Sequence, residues 1–152
     1  MADTSTKWDE RYFKLAKEVA AWSKDPSRKI GAVIVGHKGQ IISQGYNGFP
    51  RGIMDHPHRY EDKETKYKYV VHAEMNAIYN AIYNGASTEG ATLYVTGLPV
   101  CNECAKAVIQ VGIKKVVYDT EASSSWNDST ELGIEMMREA GLEIEYKPSK
   151  IH

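Results

Sequence analysis

His72-Ala73-Glu74 and Cys101-Asn102-Glu103-Cys104 are the residues of this chain whose types and spacing can do chemistry. One histidine and two cysteines make a donor set that suits zinc and leaves a fourth position for water. The Cys-x-x-Cys spacing lets the first turn of a helix present both sulfurs to one ion. A helix N-terminus favours thiolates, because its free N–H groups and dipole stabilise negative charge. Zn2+ with two thiolates and a neutral imidazole carries no net charge, and such a metal lowers the pKa of its water towards about 7. Glu74 stands two positions after His72, about 200° of rotation on a regular helix. The two side chains therefore cannot bind one ion side by side from a regular turn. At a helix start, Glu74 faces the water while His72 faces the metal.

Blander readings stand beside this one. Cys-x-x-Cys after a strand also belongs to thioredoxin-like redox proteins, although those have no use for His-x-Glu. The Trp, Gly and Pro typical around such cysteines are missing here. A closed structural zinc site would recruit His56 or His58 as its fourth ligand. His72 alone would read as a core histidine, and Glu74 alone as a solvated helix residue.

The elements that must position these residues follow from the apolar pattern. Tyr12 to Trp22 has helical spacing, and Asp25-Pro26 stops it. Ile30 to Val35 is a β-branched run that reads as a buried strand. His37 to Gln40 is a turn, and Ile41 to Tyr46 pairs back as a hairpin. Asn47 to Tyr67 is polar and reads as the longest irregular stretch, of the kind that carries function. His72 to Asn84 is a helix capped by Gly85, and Ala91 to Val95 is a strand. Cys101 to Val111 is a helix ended by Gly112, and Lys115 to Tyr118 is a strand. Thr130 to Ala140 is a helix ended by Gly141, and Leu142 to Tyr146 alternates as an edge strand does. A hairpin followed by strands separated by helices predicts a mixed sheet with helices on both faces.

Bulk properties bound the possibilities. The 152 residues, 42% hydrophobic and 26% charged, are expected to form one domain over 1–152. A net charge of −1 gives no bulk support for a polynucleotide partner. Two cysteines in one motif are too few for a disulfide scaffold. The residues from Met1 to Trp8 lack the apolar region of a signal peptide, and no apolar run approaches the roughly 20 residues of a membrane span. The expectation is a cytoplasmic protein with no membrane partner.

His-x-Glu followed by Cys-x-x-Cys is the signature of zinc deaminases, and other stretches narrow it. Ser23-Lys-Asp-Pro-Ser-Arg-Lys-Ile-Gly-Ala-Val-Ile-Val35, Gly45-Tyr-Asn-Gly-Phe-Pro-Arg-Gly52, His72-Ala-Glu-Met-Asn-Ala-Ile78 and Cys101-Asn-Glu-Cys-Ala-Lys106, continuing to Lys114, cover most of the chain. Together they resemble the deoxycytidylate (dCMP) deaminase branch of the cytidine deaminase superfamily. The resemblance implies a three-layer α/β/α cytidine deaminase-like fold on a five-stranded mixed sheet. It implies one catalytic zinc per subunit, on His72, Cys101 and Cys104, and hydrolysis of dCMP to dUMP and ammonia. Glu74 would pass a proton from water to N3 of cytosine, attack would fall at C4, and Glu74 would then protonate the departing amine. Asn47 would meet the deoxyribose, Ile30 the base and Arg28 the phosphate. Many members are homohexamers activated by dCTP and inhibited by dTTP, each with Mg2+, at a site between subunits. Gly48, Phe49, Arg51, Asn76, Asn80 and Tyr83 are the candidates for that site.

Two departures from the family pattern stand out. Val100 intervenes between Pro99 and Cys101, where the family has Pro directly before Cys. The family's Tyr after the fourth strand is replaced by Asp119 to Ser125, followed by Trp126 as the one aromatic available to the substrate. A polynucleotide base deaminase and a non-catalytic zinc-stabilised binding module are the competing functions. Asn47 between two glycines also suits a turn in left-handed backbone. Arg28 with Lys29 also suits a solvated strand start, and Asn80 with Tyr83 ordinary helix surface.

Overall fold

Val33 and Val35 point to one side of their strand, Ala32 and Ile34 to the other, and all four are buried. Such a run must be covered on both faces. The computed structural model describes residues 4–121 and 127–148 and shows how this is done. The elements are α1 (Thr4–Ala20), β1 (Gly31–Val35), β2 (Ile41–Tyr46), α2 (Pro57–Glu61), α3 (Lys63–Tyr69), α4 (Ala73–Tyr83), β3 (Thr92–Thr96), α5 (Asn102–Gln110), β4 (Lys115–Tyr118), α6 (Asn127–Glu139) and β5 (Glu143–Tyr146).

The sheet has five strands in the order β2-β1-β3-β4-β5. β1 is antiparallel to both β2 and β3, whereas β3, β4 and β5 run parallel. On one face, Tyr12, Phe13 and Ala16 of α1 pack on Val33, Val35, Tyr94 and Val117. On the other, Ala77, Ile78, Val108 and Met137, from α4, α5 and α6, pack on Ala32, Ile34, Leu93, Val95 and Val116. The expected three-layer mixed-sheet architecture is therefore observed. Among the described residues, no helix is long and apolar enough to cross a membrane.

Strand register places the functional end of the molecule. Gly31 is paired with both Tyr46 and Thr96. The start of β1, the end of β2 and the end of β3 thus meet at one edge. There Arg28 to Ile30, Asn47 and Gly97 to Pro99 become neighbours, and the parallel crossover from β3 brings the N-terminus of α5 beside them. Gly45 sets how closely α4 approaches β2: a Cβ there would lie 2.6 Å from the Ala73 carbonyl oxygen. That approach fixes the depth at which α4 delivers its first turn.

α6 begins at Asn127 rather than Thr130, and three further departures from expectation have a physical reason. α1 begins at Thr4 rather than Tyr12. Its first turns are held by a polar tether instead of an apolar stripe: buried Asp9 accepts hydrogen bonds from Tyr94 Oη and Lys147 Nζ. The stretch expected to be irregular contains α2 and α3. These short helices lack an apolar stripe, and they are anchored through Tyr60, whose ring stacks on Phe49 at 4.2 Å. Finally, His72 and Cys101 cap α4 and α5 and are not their first helical residues. The three helix-ending glycines Gly85, Gly112 and Gly141 have φ of 72°, 81° and 94°, as a left-handed stop requires.

Candidate active site

The caps explain how His72 and Glu74 serve one centre. His72 has extended backbone (φ −67°, ψ 154°), so the regular 100° step begins only after it. Cys101 is likewise extended (φ −78°, ψ 168°), and its Sγ accepts the Cys104 backbone N–H at 3.4 Å. The N-termini of α4 and α5 converge. His72 Nδ1 lies 3.2 Å from Cys104 Sγ and 3.6 Å from Cys101 Sγ. Tetrahedral zinc ligands at about 2.0–2.3 Å from the metal stand about 3.5 Å from one another, so these three donors fit the ion. All three ligand atoms lie within 4.8 Å of one another, and neither His56 nor His58 belongs to the group. Those two rings stack on each other instead, at 5.1 Å.

Electrostatics couple the three donors to one another and to Glu74. The Cys101 thiol is held down to about 4, first by its side-chain hydrogen bond with Cys104 and then by His72. The same bond and burial push the Cys104 thiol up. The bond to Cys101 raises His72. Glu74 is only 4% exposed. Burial pushes its carboxyl up to about 7, against the opposing effect of His72. A carboxyl of that strength can both take and return a proton near neutral pH.

These groups open into a cavity of about 250 Å³. Its wall includes Arg28, Ile30 and Asn47 together with His72, Glu74 and Cys101. Arg28 Nη1 donates to the Gly97 carbonyl at 3.1 Å. Asn47 is buried and ties the entry to β1: its Oδ1 accepts from Ile30 N at 2.9 Å, and its Nδ2 donates to the Arg28 carbonyl at 2.9 Å. It does so without left-handed backbone, since no non-glycine among the described residues has positive φ. Trp126 lies outside the described residues. Val100, the extra residue before Cys101, is turned into the core. Leu98 and Pro99 are left on the cavity wall.

The loop after β2 faces two ways. Gly48, Phe49, Arg51, Asn76 and Asn80 line a second cavity, of about 530 Å³. Asn76 Nδ2 donates to the Tyr46 carbonyl and Asn80 Nδ2 to the Gln44 carbonyl, both at 2.7 Å. Tyr83 is off that wall, but its ring lies 5.4 Å from the Arg51 guanidinium. Gly48 also exchanges backbone hydrogen bonds with Val71, next to His72.

Residues that sequence reasoning missed lie on α3. Lys63, Lys66 and Tyr67, at the i, i+3, i+4 spacing of one helical face, line the first cavity together with Val70, the extended residue that caps the helix. Their helical period was the available signal. It was hidden because two of the three are charged. Asp25 lines the same cavity and accepts from Ser27 N at 2.8 Å.

Comparison with known proteins agrees with this centre. Residues 6–120 match the family described as the cytidine and deoxycytidylate deaminase zinc-binding region. A deoxycytidylate deaminase of Mus musculus is 45% identical over 134 residues, covering 85% of this chain and 72% of that protein. An uncharacterized deaminase in the luxG 3' region of Aliivibrio fischeri is 38% identical over 149 residues, covering 96% of this chain and 97% of the other. The crystal structure of the dCMP deaminase from cyanophage S-TIM5 in apo form superposes with a TM-score of 0.73 at 29% identity, over 93% of this chain and 98% of that one. The same phage enzyme in complex with dCMP and dUMP gives a TM-score of 0.71 at 25% identity, over 97% and 98%. The chain therefore belongs to the cytidine and deoxycytidylate deaminase family. Within it, the protein is a deaminase, a hydrolase of C–N bonds, with the fold of the dCMP deaminases.

Proposed function

We propose that the protein hydrolyses dCMP to dUMP and ammonia with one zinc per subunit. The observation that carries this reading is a buried Glu74 beside the His72, Cys101 and Cys104 group, opening on a cavity of about 250 Å³. The phage relative bound to dCMP and dUMP supports the choice of substrate. His72 Nδ1, Cys101 Sγ and Cys104 Sγ would hold the zinc, which would supply a Lewis acid to acidify water next to Glu74. Glu74 accepts the proton and delivers it to N3 of the cytosine, making C4 electrophilic. Once the water oxygen has added to C4, Glu74 takes the second proton from that oxygen and gives it to the amine, so that the C4–N bond breaks, ammonia leaves and C4 keeps the carbonyl oxygen. Ile30 packs the base and Arg28 faces the phosphate, with Trp126 assigned to the substrate from the sequence. Asn47 meets the deoxyribose with the Nδ2 hydrogen whose contact to Asp25 is long, 3.5 Å. The cavity bounded by Gly48, Phe49, Arg51, Asn76 and Asn80, with Tyr83 beside it, takes the effector nucleotide. dCTP with Mg2+ activates there and dTTP with Mg2+ inhibits, within a homohexamer.

The test is ammonia release from dCMP, dCTP, cytidine and a single-stranded oligonucleotide, each over a range of concentrations. The expected result is turnover of dCMP alone at a high rate, with a sigmoidal dependence that dCTP makes hyperbolic. Turnover of the oligonucleotide but not of dCMP contradicts the reading. A hyperbolic dCMP curve untouched by dCTP or dTTP removes the regulatory part only.

A further inference from the structure

We propose that the face of α3 carrying Lys63 and Lys66 is the wall that recognises the substrate's 5′-phosphate, with Asp25 as the residue that positions Lys66. The proposal rests on the reading of the protein as a nucleotide deaminase and names the residues that make it prefer a nucleotide to a nucleoside.

Charge is the first ground. Leaving aside the metal ligands and Glu74, the cavity wall carries three cations, Arg28, Lys63 and Lys66, against one carboxylate, Asp25. Two positive charges stay uncompensated, and a phosphate monoester near pH 7 carries about two negative ones. Among the described residues, no carboxylate pairs with Lys63, which is exposed at the cavity mouth. A dianion bound there keeps part of its hydration while the base reaches Glu74.

The second ground is the Lys66–Asp25 pair. Lys66 Nζ lies 3.4 Å from Asp25 Oδ1 and 3.3 Å from Oδ2, with side-chain exposures of 9% and 5%. A buried ion pair is by itself a poor stabilising device, because desolvation offsets the attraction. Here the carboxylate is already engaged: Oδ1 accepts from Ser27 N at 2.8 Å and Arg28 N at 3.4 Å, and Oδ2 from Asn47 Nδ2. An ammonium has three N–H donors. Asp25 occupies at most two from Lys66, and the remainder are available to an anion in the cavity. Asp25 thereby organises in one place Lys66, the backbone at Ser27 and Arg28, and Asn47.

The third ground is geometry. Lys63 and Lys66 are three residues apart on one helix, hence neighbours on one face, and that face lines the cavity holding His72 and Glu74.

The test compares dissociation constants for dUMP and deoxyuridine, and KM for dCMP, in wild type, Lys63→Met and Lys66→Met. Because Lys66→Met leaves Asp25 buried without its partner, the pair Lys66→Met with Asp25→Asn is measured as well. Thermal melting and zinc content report that each variant is folded and loaded. The expected result is that the preference for dUMP over deoxyuridine shrinks about 10–100-fold, the loss of one or two charge-assisted hydrogen bonds. KM for dCMP rises in parallel, while deoxyuridine binding is unchanged in Lys63→Met, whose side chain touches neither Asp25 nor Asn47. An undiminished preference for dUMP in folded, zinc-loaded variants overturns the proposal. A wild-type protein that prefers dUMP through these lysines yet does not deaminate dCMP keeps the wall and removes the deaminase reading instead.

Discussion

Glu74→Gln lowers the kcat for dCMP by about 10²–10⁴-fold, the usual contribution of a general acid–base group, and leaves fold and zinc content unchanged. Glutamine has the shape of glutamate but cannot take a proton from water at the centre. The substitution is isolated from metal binding because Glu74 is outside the group of three ligands. It is also gentle on the fold, since the buried carboxyl is already pushed up to about 7 and a neutral side chain suits that environment. Steady-state ammonia release, with zinc analysis and a melting curve on the same sample, checks it. Activity equal to wild type would show that the proton moves elsewhere, and a variant that loses zinc would make Glu74 a ligand.

Removing the metal is expected to have the second large effect. Chelation abolishes turnover, and stoichiometric Zn2+ restores it. The protein without zinc also melts at lower temperature, because ligand binding to the folded state stabilises it by about 4 kcal/mol at a thousandfold excess over Kd. The group spans two helix caps 29 residues or more apart in sequence, as the His72–Cys101 contact shows. The ion therefore joins α4 to α5, and its loss is felt in the fold as well as in catalysis. Cys104→Ser reproduces both effects, since Cys104 is the more buried cysteine and packs within the core. Turnover that survives complete chelation contradicts the assignment.

The chemistry was legible in the sequence because it is local. His72 with Glu74, and Cys101 with Cys104, are pairs within one turn, placed by helix starts that the apolar pattern announces. The sheet was legible for the same reason: β1, β3 and β4 are short β-branched runs, and their connections are helical. What stayed hidden is what depends on contact between distant elements. α3 carries no apolar stripe, so its period is masked by charged residues, yet it presents Lys63, Lys66 and Tyr67 to the cavity. The first turns of α1 are set by the ties of Asp9 to Tyr94 and Lys147, remote in sequence. In sequence, Asn47 suits a deoxyribose contact or a turn. Its amide also fastens the start of β1 to the end of β2. Gly45 is an ordinary strand residue in sequence and becomes the point where α4 meets β2 only in three dimensions.

The central claim is an open zinc centre on three protein ligands with Glu74 beside it. Zinc K-edge absorption on the purified full-length protein tests it most directly. The expected result is one zinc per chain with two sulfurs at about 2.3 Å and a single imidazole nitrogen at about 2.0–2.1 Å. The fourth position is not filled by a protein side chain. A second imidazole, from His56 or His58, or a centre lacking both sulfurs, would contradict it.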